Sequence, residues 1–350
     1  MRVPWALLPV GTLVVACGPK IDVPMPDLAR VEPGVVAKVQ SCRAAVLADP
    51  SVDSWARYGR TLHAHRMMLQ AEQAYLAAAD VAGADTSAAF EYLHLAGCAA
   101  LEGRAEQSIG YFQRALELRD DFLPTHLCLA LASERLGRAD LARRHYQRVL
   151  SSVESSHARL GLGRLALRSG DAKAAIGQFD KALAVNSEHR EVYEAKARAH
   201  ARLKEMDESR AVAKLAGDLS ETTPYVDPLL GKVQAEAVDI NSRFNRGSKH
   251  ANDGRDPEAI VEFSAVVKAR PRHVHARYYL ALLYKRTEAD SQAMKHANVI
   301  LEQRPDHKKT LELRARMFLK QGRKSDAERD LRALLKLEPA HAWAKAQLGN

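Results

Sequence analysis

The stretch that decides the fold is residues 305–339, PDHKKTLELRARMFLKQGRKSDAERDLRALLKLEP, which holds one full period of a repeat. Two kinds of residue recur 34 positions apart around it: the prolines Pro271, Pro305 and Pro339, and the alanines Ala259, Ala293 and Ala327. Each alanine is followed by apolar residues at helical spacing, and each proline would end the helix that precedes it. Three periods in register predict a chain of repeated helical hairpins.

The same interval continues upstream with fewer prolines. Gly103, Gly137 and Gly170 are spaced 34 and 33 residues apart, and core positions at helical spacing follow each of them. We expect each glycine to lie in the turn between two helices. Small residues such as Gly163 would let the paired helices approach closely.

The period and its aromatic, Leu-Gly, Ala, Phe and Pro positions resemble the tetratricopeptide-repeat family over about residues 50–350, with Trp55-x-x-Tyr58-Gly59-x-x-Leu62 as the best-matched first helix. This resemblance implies an all-α fold, a right-handed helical solenoid of about eight helix-turn-helix repeats. The repeats begin near Val52, Ala89, Leu123, Ser156, Arg190, Ile240, Val274 and Lys308.

The array is expected to be interrupted near residues 220–228. There Asp227 can cap a helix started by Pro228, and we expect one long helix from about Pro228 to Ala251. The predicted organisation is therefore a first block of about five repeats at 51–222. A second block at 223–350 holds the long helix, three repeats and a C-terminal capping helix.

The amino terminus indicates a compartment. Residues 1–16 have the layout of a secretory signal peptide, and Val14-Val15-Ala16-Cys17 resembles the lipobox of bacterial lipoproteins. This resemblance implies lipidation of Cys17, with residues 17–50 forming a Pro-rich tether and a capping helix. It places the chain in the bacterial cell envelope, on the outer membrane facing the periplasm rather than on the inner membrane. A misplaced start or a chance apolar run is the alternative.

In the family that the repeats resemble, the first helix of each pair lines a concave groove that binds a protein or peptide. Repeat register then gives the candidate groove residues Arg57, Arg60, Leu93, His94, Leu127, Arg135, Arg164 and Arg168, followed by Asn241, Phe244, Asn245, Ser248, Asn252, Tyr278, Tyr279, Lys285, Arg286, Lys309 and Arg316. Leu flanked by Arg suits an acidic segment with apolar anchors, and Asn amides suit a peptide backbone. Alternatively, Phe244 and Tyr279 pack between helices and the charges form a solvated face.

Other chemistries find little support. The formal charge of +9 is spread along the chain and indicates either solubility or an acidic partner rather than nucleic-acid binding, and a small-molecule ligand or a cofactor is not expected. His63-x-His65 and His273-x-His275 point in different directions on a helix, so no metal site is predicted. Cys98 and Cys128 fall on successive first helices and either form a disulfide or remain buried thiols.

Taken together, these features predict a non-enzymatic, membrane-anchored scaffold that binds a protein or peptide to assemble or position a cell-envelope complex. The alternative is an accessory subunit that binds a cell-wall polymer or an envelope enzyme.

Overall fold

The computed structural model describes residues 22–219 and 225–349, and every regular element in these ranges is a helix. The helices are α1 Pro33–Ala48, α2 Val52–Ala64, α3 Met68–Ala82, α4 Thr86–Ala100, α5 Ala105–Leu118, α6 Leu123–Arg135, α7 Ala139–Leu150, α8 Ser156–Arg168, α9 Ala172–Val185, α10 Arg190–Arg202, α11 Met206–Asp218, α12 Pro228–Ala235, α13 Ile240–Asn252, α14 Asp256–Ala269, α15 Val274–Arg286, α16 Asp290–Gln303, α17 Lys308–Lys320, α18 Lys324–Leu337 and α19 Ala342–Leu348. The expected all-α class is confirmed.

Eight helical hairpins follow one another in the described chain. They are α2/α3, α4/α5, α6/α7, α8/α9 and α10/α11, then α13/α14, α15/α16 and α17/α18. Each hairpin also packs on the next within these two runs, while α1 packs on α2 and α19 packs on α18. One hairpin cannot bury its own apolar face, so stacking supplies the continuous core of a solenoid.

The turns inside the hairpins explain the glycine period. Gly137, Gly170, Gly254 and Gly322 have φ values of +72°, +92°, +73° and +71°. The fifth hairpin uses Lys204 at the same place with φ of +65°, a left-handed conformation that costs a residue with a Cβ more than it costs glycine.

Close helix approach explains several glycines inside the helices. A Cβ added to Gly163 would lie 2.3 Å from Cε1 of Phe179 on the partner helix, and one added to Gly247 would lie 3.1 Å from the Phe263 ring. The first contact is too short for any real Cβ, so Gly163 is required by packing, whereas the Gly247 site is less tight.

The predicted long helix from Pro228 to Ala251 is wrong, because the chain forms two helices, α12 and α13, separated by residues 236–239. Asp227 caps α12 as expected, but Asp239 caps a second start by accepting from the Ser242 backbone N–H at 2.9 Å. Arg246 also donates to the Ala237 carbonyl at 2.7 Å. These side chains satisfy backbone groups that a continuous helix would have paired internally.

Residues 225–239, called the return segment below, lie across the first helices of the N-terminal hairpins. Helix α12 packs on α2 and α4, and Leu229 and Val233 are buried in the same core as Trp55 and Tyr58. The Val238 N–H donates to Nε2 of His65 at the end of α2, at 3.3 Å. The chain therefore runs back over the first half before the second half begins.

The described part of the chain starts with a segment that is also docked. Val23 is buried in the core under α1 and α2, Tyr58 donates its hydroxyl hydrogen to the Pro24 carbonyl, and Arg43 donates to the Val23 carbonyl at 3.2 Å. The end of the predicted tether is thus attached to the first hairpin. Cys17 and the predicted signal peptide lie outside the described residues.

Among the described helices, none combines the length and apolar character needed to cross a bilayer.

Candidate binding surfaces

Three of the first-half residues predicted to line the groove are not exposed. Leu93, His94 and Leu127 are 3%, 0% and 2% exposed, so a partner could not reach His94 or Leu127 without displacing covering groups. Leu93 borders a separate cleft of about 650 Å³ between α3, α4 and α5. The expectation that His94 is displayed to a ligand therefore needs correction.

His94 is covered by the return segment. Its Nε2 lies 2.8 Å from Oδ2 of Asp227, and its Nδ1 lies 2.8 Å from Oγ1 of Thr125 on α6. The other carboxylate oxygen of Asp227 accepts the N–H of Leu229 at the start of α12, at 2.9 Å. Although burial favours the neutral acid, the His94 hydrogen bond and charge and the backbone donors hold the pKa of Asp227 below its usual value.

Two thiols adjoin this pair. Cys98 Sγ lies 3.4 Å from Nε2 of His94, one helical turn along α4, and hydrogen bonding to Cys128 together with burial raises the pKa of Cys98 well above its usual value. Both cysteines are free, which favours the thiol interpretation over the disulfide. Sequence reasoning missed this cluster, although the four-residue spacing of His94 and Cys98 was a visible signal that they share a helix face.

The arginines predicted for the first-half groove join neighbouring repeats. Arg164 and Arg168 both pair with the buried carboxylate of Glu134 on α6, with Arg164 Nε 2.8 Å from Oε1. Although burial alone would raise it, these guanidinium groups and the Tyr146 hydroxyl keep the pKa of Glu134 below its usual value. Arg135 donates to the Leu101 carbonyl at 2.8 Å. Of this set, Arg57 is exposed and Arg60 is half-buried.

In the second half, part of the predicted aromatic patch is packing. The Tyr279 ring stacks on Phe263 with centroids 4.8 Å apart, and the Phe244 ring lies 5.4 Å from Phe263 and 5.8 Å from Tyr279. Both Phe244 and Tyr279 are half-buried. The interpretation that these rings pack between helices therefore describes Phe244 well, while Tyr279 also lines the cleft described next.

A cleft of about 550 Å³ opens between α15, α17 and the α18–α19 turn. Its lining comprises His275, Tyr278, Tyr279, Arg304, Asp306, His307, Lys308, Lys309, Glu312, Leu334, Glu338 and His341. Three predicted groove residues, Tyr278, Tyr279 and Lys309, thus come together. A neighbouring cleft of about 370 Å³ collects Asn252, Tyr279, Lys285 and Arg286.

The charges around the larger cleft nearly balance. Lys308 Nζ lies 3.4 Å from Oε2 of Glu338, and Arg304 Nε lies 3.9 Å from Oδ1 of Asp306. Within the described ranges, Lys309 is the lining lysine or arginine for which no carboxylate lies within 4.0 Å. Burial and the Arg304 charge lower the pKa of His307, which keeps its imidazole neutral at neutral pH.

The remaining predicted residues are dispersed. Asn241 and Asn245 are exposed on α13, and Ser248 is half-buried. Arg286 pairs with Asp256 of the preceding hairpin, and Arg316 pairs with Glu312 at 2.6 Å while its guanidinium lies 4.2 Å from the Trp343 ring centroid. These arginines already have partners within the protein, so they contribute less free charge than the sequence suggested.

The fold and these concave faces define the class of the protein as an all-helical repeat solenoid. The sequence model of the tetratricopeptide repeat matches residues 127–183, 160–221 and 244–308, which fall on the helical hairpins described above. The chain therefore contains tetratricopeptide repeats over these residues. Proteins with this fold typically bind protein or peptide partners and are typically non-catalytic.

Individual relatives are distant. The human protein O-mannosyl-transferase TMTC3 is 23% identical over 265 residues, which is 73% of this chain but 27% of that enzyme. The chain thus spans about a quarter of the length of this curated relative.

Three solved structures show the same level of similarity. MamA AMB-1 is 20% identical, with coverage of 49% of this chain and 93% of that chain, and has a TM-score of 0.39. A tetratricopeptide-repeat protein from Parabacteroides merdae is 16% identical over 74% of this chain and 97% of its own, with a TM-score of 0.32. YrrB, described as a tetratricopeptide-repeat protein with an unusual peptide-binding site, is 21% identical over 58% and 97%, with a TM-score of 0.26.

Proposed function

We propose that this chain is a non-enzymatic scaffold, anchored to a membrane through Cys17, that holds a segment of another envelope protein in the cleft of its second half. The observation that carries the proposal is that cleft, lined by Tyr278, Tyr279 and Lys309. Repeat proteins present such concave surfaces to their partners.

The chemistry of the cleft suits a short peptide segment. Tyr278 and Tyr279 offer apolar contact area and hydroxyl groups that can hydrogen-bond to a peptide backbone, and the lining charges around them are balanced. Lys309 is the lining cation best placed to attract a carboxylate of the partner, so one acidic side chain beside an apolar anchor is the preferred ligand pattern.

The test is affinity capture from detergent-solubilised envelopes with the full chain as bait. Tyr278→Ala combined with Lys309→Glu should abolish recovery of the partner, because the change removes contact area and reverses the rim charge. Lys268→Glu, an exposed charge reversal on α14, is the matched control and should leave recovery unchanged. Equal recovery by the wild-type chain, the double variant and Lys268→Glu would show that the cleft does not bind the partner.

Localisation is proposed to be the periplasmic face of the outer membrane, and it is tested separately. Cys17→Ser should release the chain from membranes, because the acylated thiol is the proposed anchor. Retention of the serine variant in the membrane fraction would refute the anchor without affecting the cleft. Sedimentation with isolated peptidoglycan would instead support the accessory, polymer-binding alternative.

A further inference from the structure

Three side chains of metal-ligand type converge beneath the return segment: His94 and Cys98 from α4 and Asp227 from the start of α12, whose ligand atoms all lie within 4.8 Å of one another. Cys128 of α6 adjoins them, since it packs against the same apolar cluster as Cys98. We propose that these residues bind one Zn²⁺ ion, with Nε2 of His94, the two thiolates and Oδ2 of Asp227 as ligands. This inference is independent of the second-half cleft.

The geometry around the imidazole favours a cation at this place. Asp227 Oδ2 at 2.8 Å and Cys98 Sγ at 3.4 Å both approach the single ring nitrogen Nε2 of His94, which can satisfy only one of them by a direct hydrogen bond. A metal ion among the three groups would bond all of them at once. The Thr125 hydroxyl, 2.8 Å from Nδ1, fixes the ring orientation as a supporting group does around metal-bound histidines.

The spacing of the donors fits a tetrahedral ion. With Zn–N near 2.0 Å and Zn–S near 2.3 Å, tetrahedral angles put nitrogen and sulfur about 3.5 Å apart. The observed separation of His94 Nε2 and Cys98 Sγ is 3.4 Å. The His94–Asp227 distance would widen by about 0.5 Å, because a tetrahedral N···O separation is about 3.3 Å.

The donor set also selects the metal. Two thiolates, one imidazole and one carboxylate form a mixed soft and borderline set that suits Zn²⁺ and does not suit Mg²⁺ or Ca²⁺, which prefer oxygen. The surroundings are apolar, since the Phe112 and Phe122 ring centroids lie 5.7 Å and 5.4 Å from that of His94. A four-ligand site without an open position is typical of a structural zinc, not of a catalytic one.

The site would join three elements that are remote in sequence. His94 and Asp227 are separated by 133 residues, and Asp227 is the residue that starts α12. Zinc bound here would therefore fasten the return segment to the first helices of the second and third hairpins. The consequence is that metal binding keeps the first-half groove covered.

The test uses the full chain, purified in detergent under reducing conditions and dialysed against a weak chelator. Elemental analysis should find one zinc per chain, and competition with a chromophoric chelator should give its affinity. Cys98→Ser and Asp227→Asn should each weaken binding by more than about 100-fold, since even loss of an orienting group such as Thr125 in Thr125→Val typically costs about 10–100-fold. Cys42→Ser, at a buried thiol beside Thr61, should bind zinc normally.

A second measurement guards against variants that do not fold. The wild-type chain titrated with Co²⁺ should show thiolate-to-metal charge transfer and the visible bands of a tetrahedral site, and Zn²⁺ should erase both. The proposal would be overturned if this spectrum is absent or if the chain contains no zinc. It would also be overturned if folded Cys98→Ser and Asp227→Asn bind zinc as tightly as the wild-type chain. Isolation of the chain with Cys98 and Cys128 joined as a disulfide would overturn it as well.

Discussion

The two halves of the molecule are built from the same helical hairpin, but their concave faces differ. In the first half, the return segment crosses the first helices and buries His94. In the second half, the corresponding helices border a cleft of about 550 Å³ with Tyr278 and Tyr279 in its wall. Repeat number therefore does not decide where a partner binds, because a groove can be occupied by the protein's own chain.

Replacement of Asp227 should have the largest effect on stability. Asp227→Ala should destabilise the first half by about 2–4 kcal/mol, because it leaves a buried imidazole nitrogen without its hydrogen-bond partner and removes the cap of α12. Asp239→Ala is the matched control, since Asp239 also caps a helix but lies 3.7 Å from His65 at a more exposed site, and it should cost about 1 kcal/mol. Urea unfolding in chelator-containing buffer measures both, and equal costs would contradict the covered-groove description.

Helix packing gives the next largest contrast. Gly163→Ala should cost about 2–3 kcal/mol, because the new methyl group collides with the Phe179 ring. Gly247→Ala meets Phe263 at 3.1 Å and gains about 1 kcal/mol of helix propensity, so its net effect should be near zero. Thermal unfolding of the two variants measures the difference, and similar melting temperatures would show that both crossings are equally loose.

The hairpins could be predicted because their determinants are local and periodic. Prolines and glycines that recur about every 34 residues, and small residues at helix crossings, suit the turns and close packing of the hairpins, and Gly170 and Pro305 show this without any structure. The return segment could not be predicted in this way, since Asp227 meets His94 across 133 residues and no period relates them. The same holds for the split between α12 and α13, which depends on Arg246 and His65 reaching the backbone of residues 237 and 238.

Repeat register likewise predicted only part of the candidate site. Register placed Tyr278, Tyr279 and Lys309 on one face, and the structure brings them together in one cleft. Register could not tell which side chains were already paired, so Arg164 and Arg286 looked free. Their partners, Glu134 and Asp256, lie 30 residues away in the preceding hairpin.

Acidification provides a smaller contrast. Burial lowers the pKa of His145 and His157 in the first half, and of His296 in the second, to about 4. The folded pKa of each histidine lies below the unfolded value of about 6.5. The free energy of unfolding is therefore highest above about pH 6.5 and decreases as the pH falls toward about 4. Each should contribute about 1 kcal/mol of loss near pH 5 after allowance for solvent screening.

With more such groups, the first half should open first on acidification. Hydrogen exchange by mass spectrometry, corrected for the intrinsic rate, should show α7 and α8 losing protection before α15 and α16. Replacing His145 and His157 with glutamine should remove the difference. Simultaneous loss of protection in both halves of the wild-type chain would show that the array unfolds as one unit.

Both halves have ion pairs that join successive hairpins, and their removal should have the smallest effect on stability. Arg138 Nη2 lies 2.7 Å from Oε1 of Glu106 in the first half, and Arg286 pairs with Asp256 in the second. Both arginines are about half exposed, so Arg138→Gln and Arg286→Gln should each cost under about 1 kcal/mol in urea unfolding at low salt, and less at high salt. Because its guanidinium is already paired, Arg286→Gln should also leave partner capture unchanged. If Arg286→Gln reduces partner capture without reducing stability, Arg286 belongs to the binding surface and does not serve only to join two hairpins.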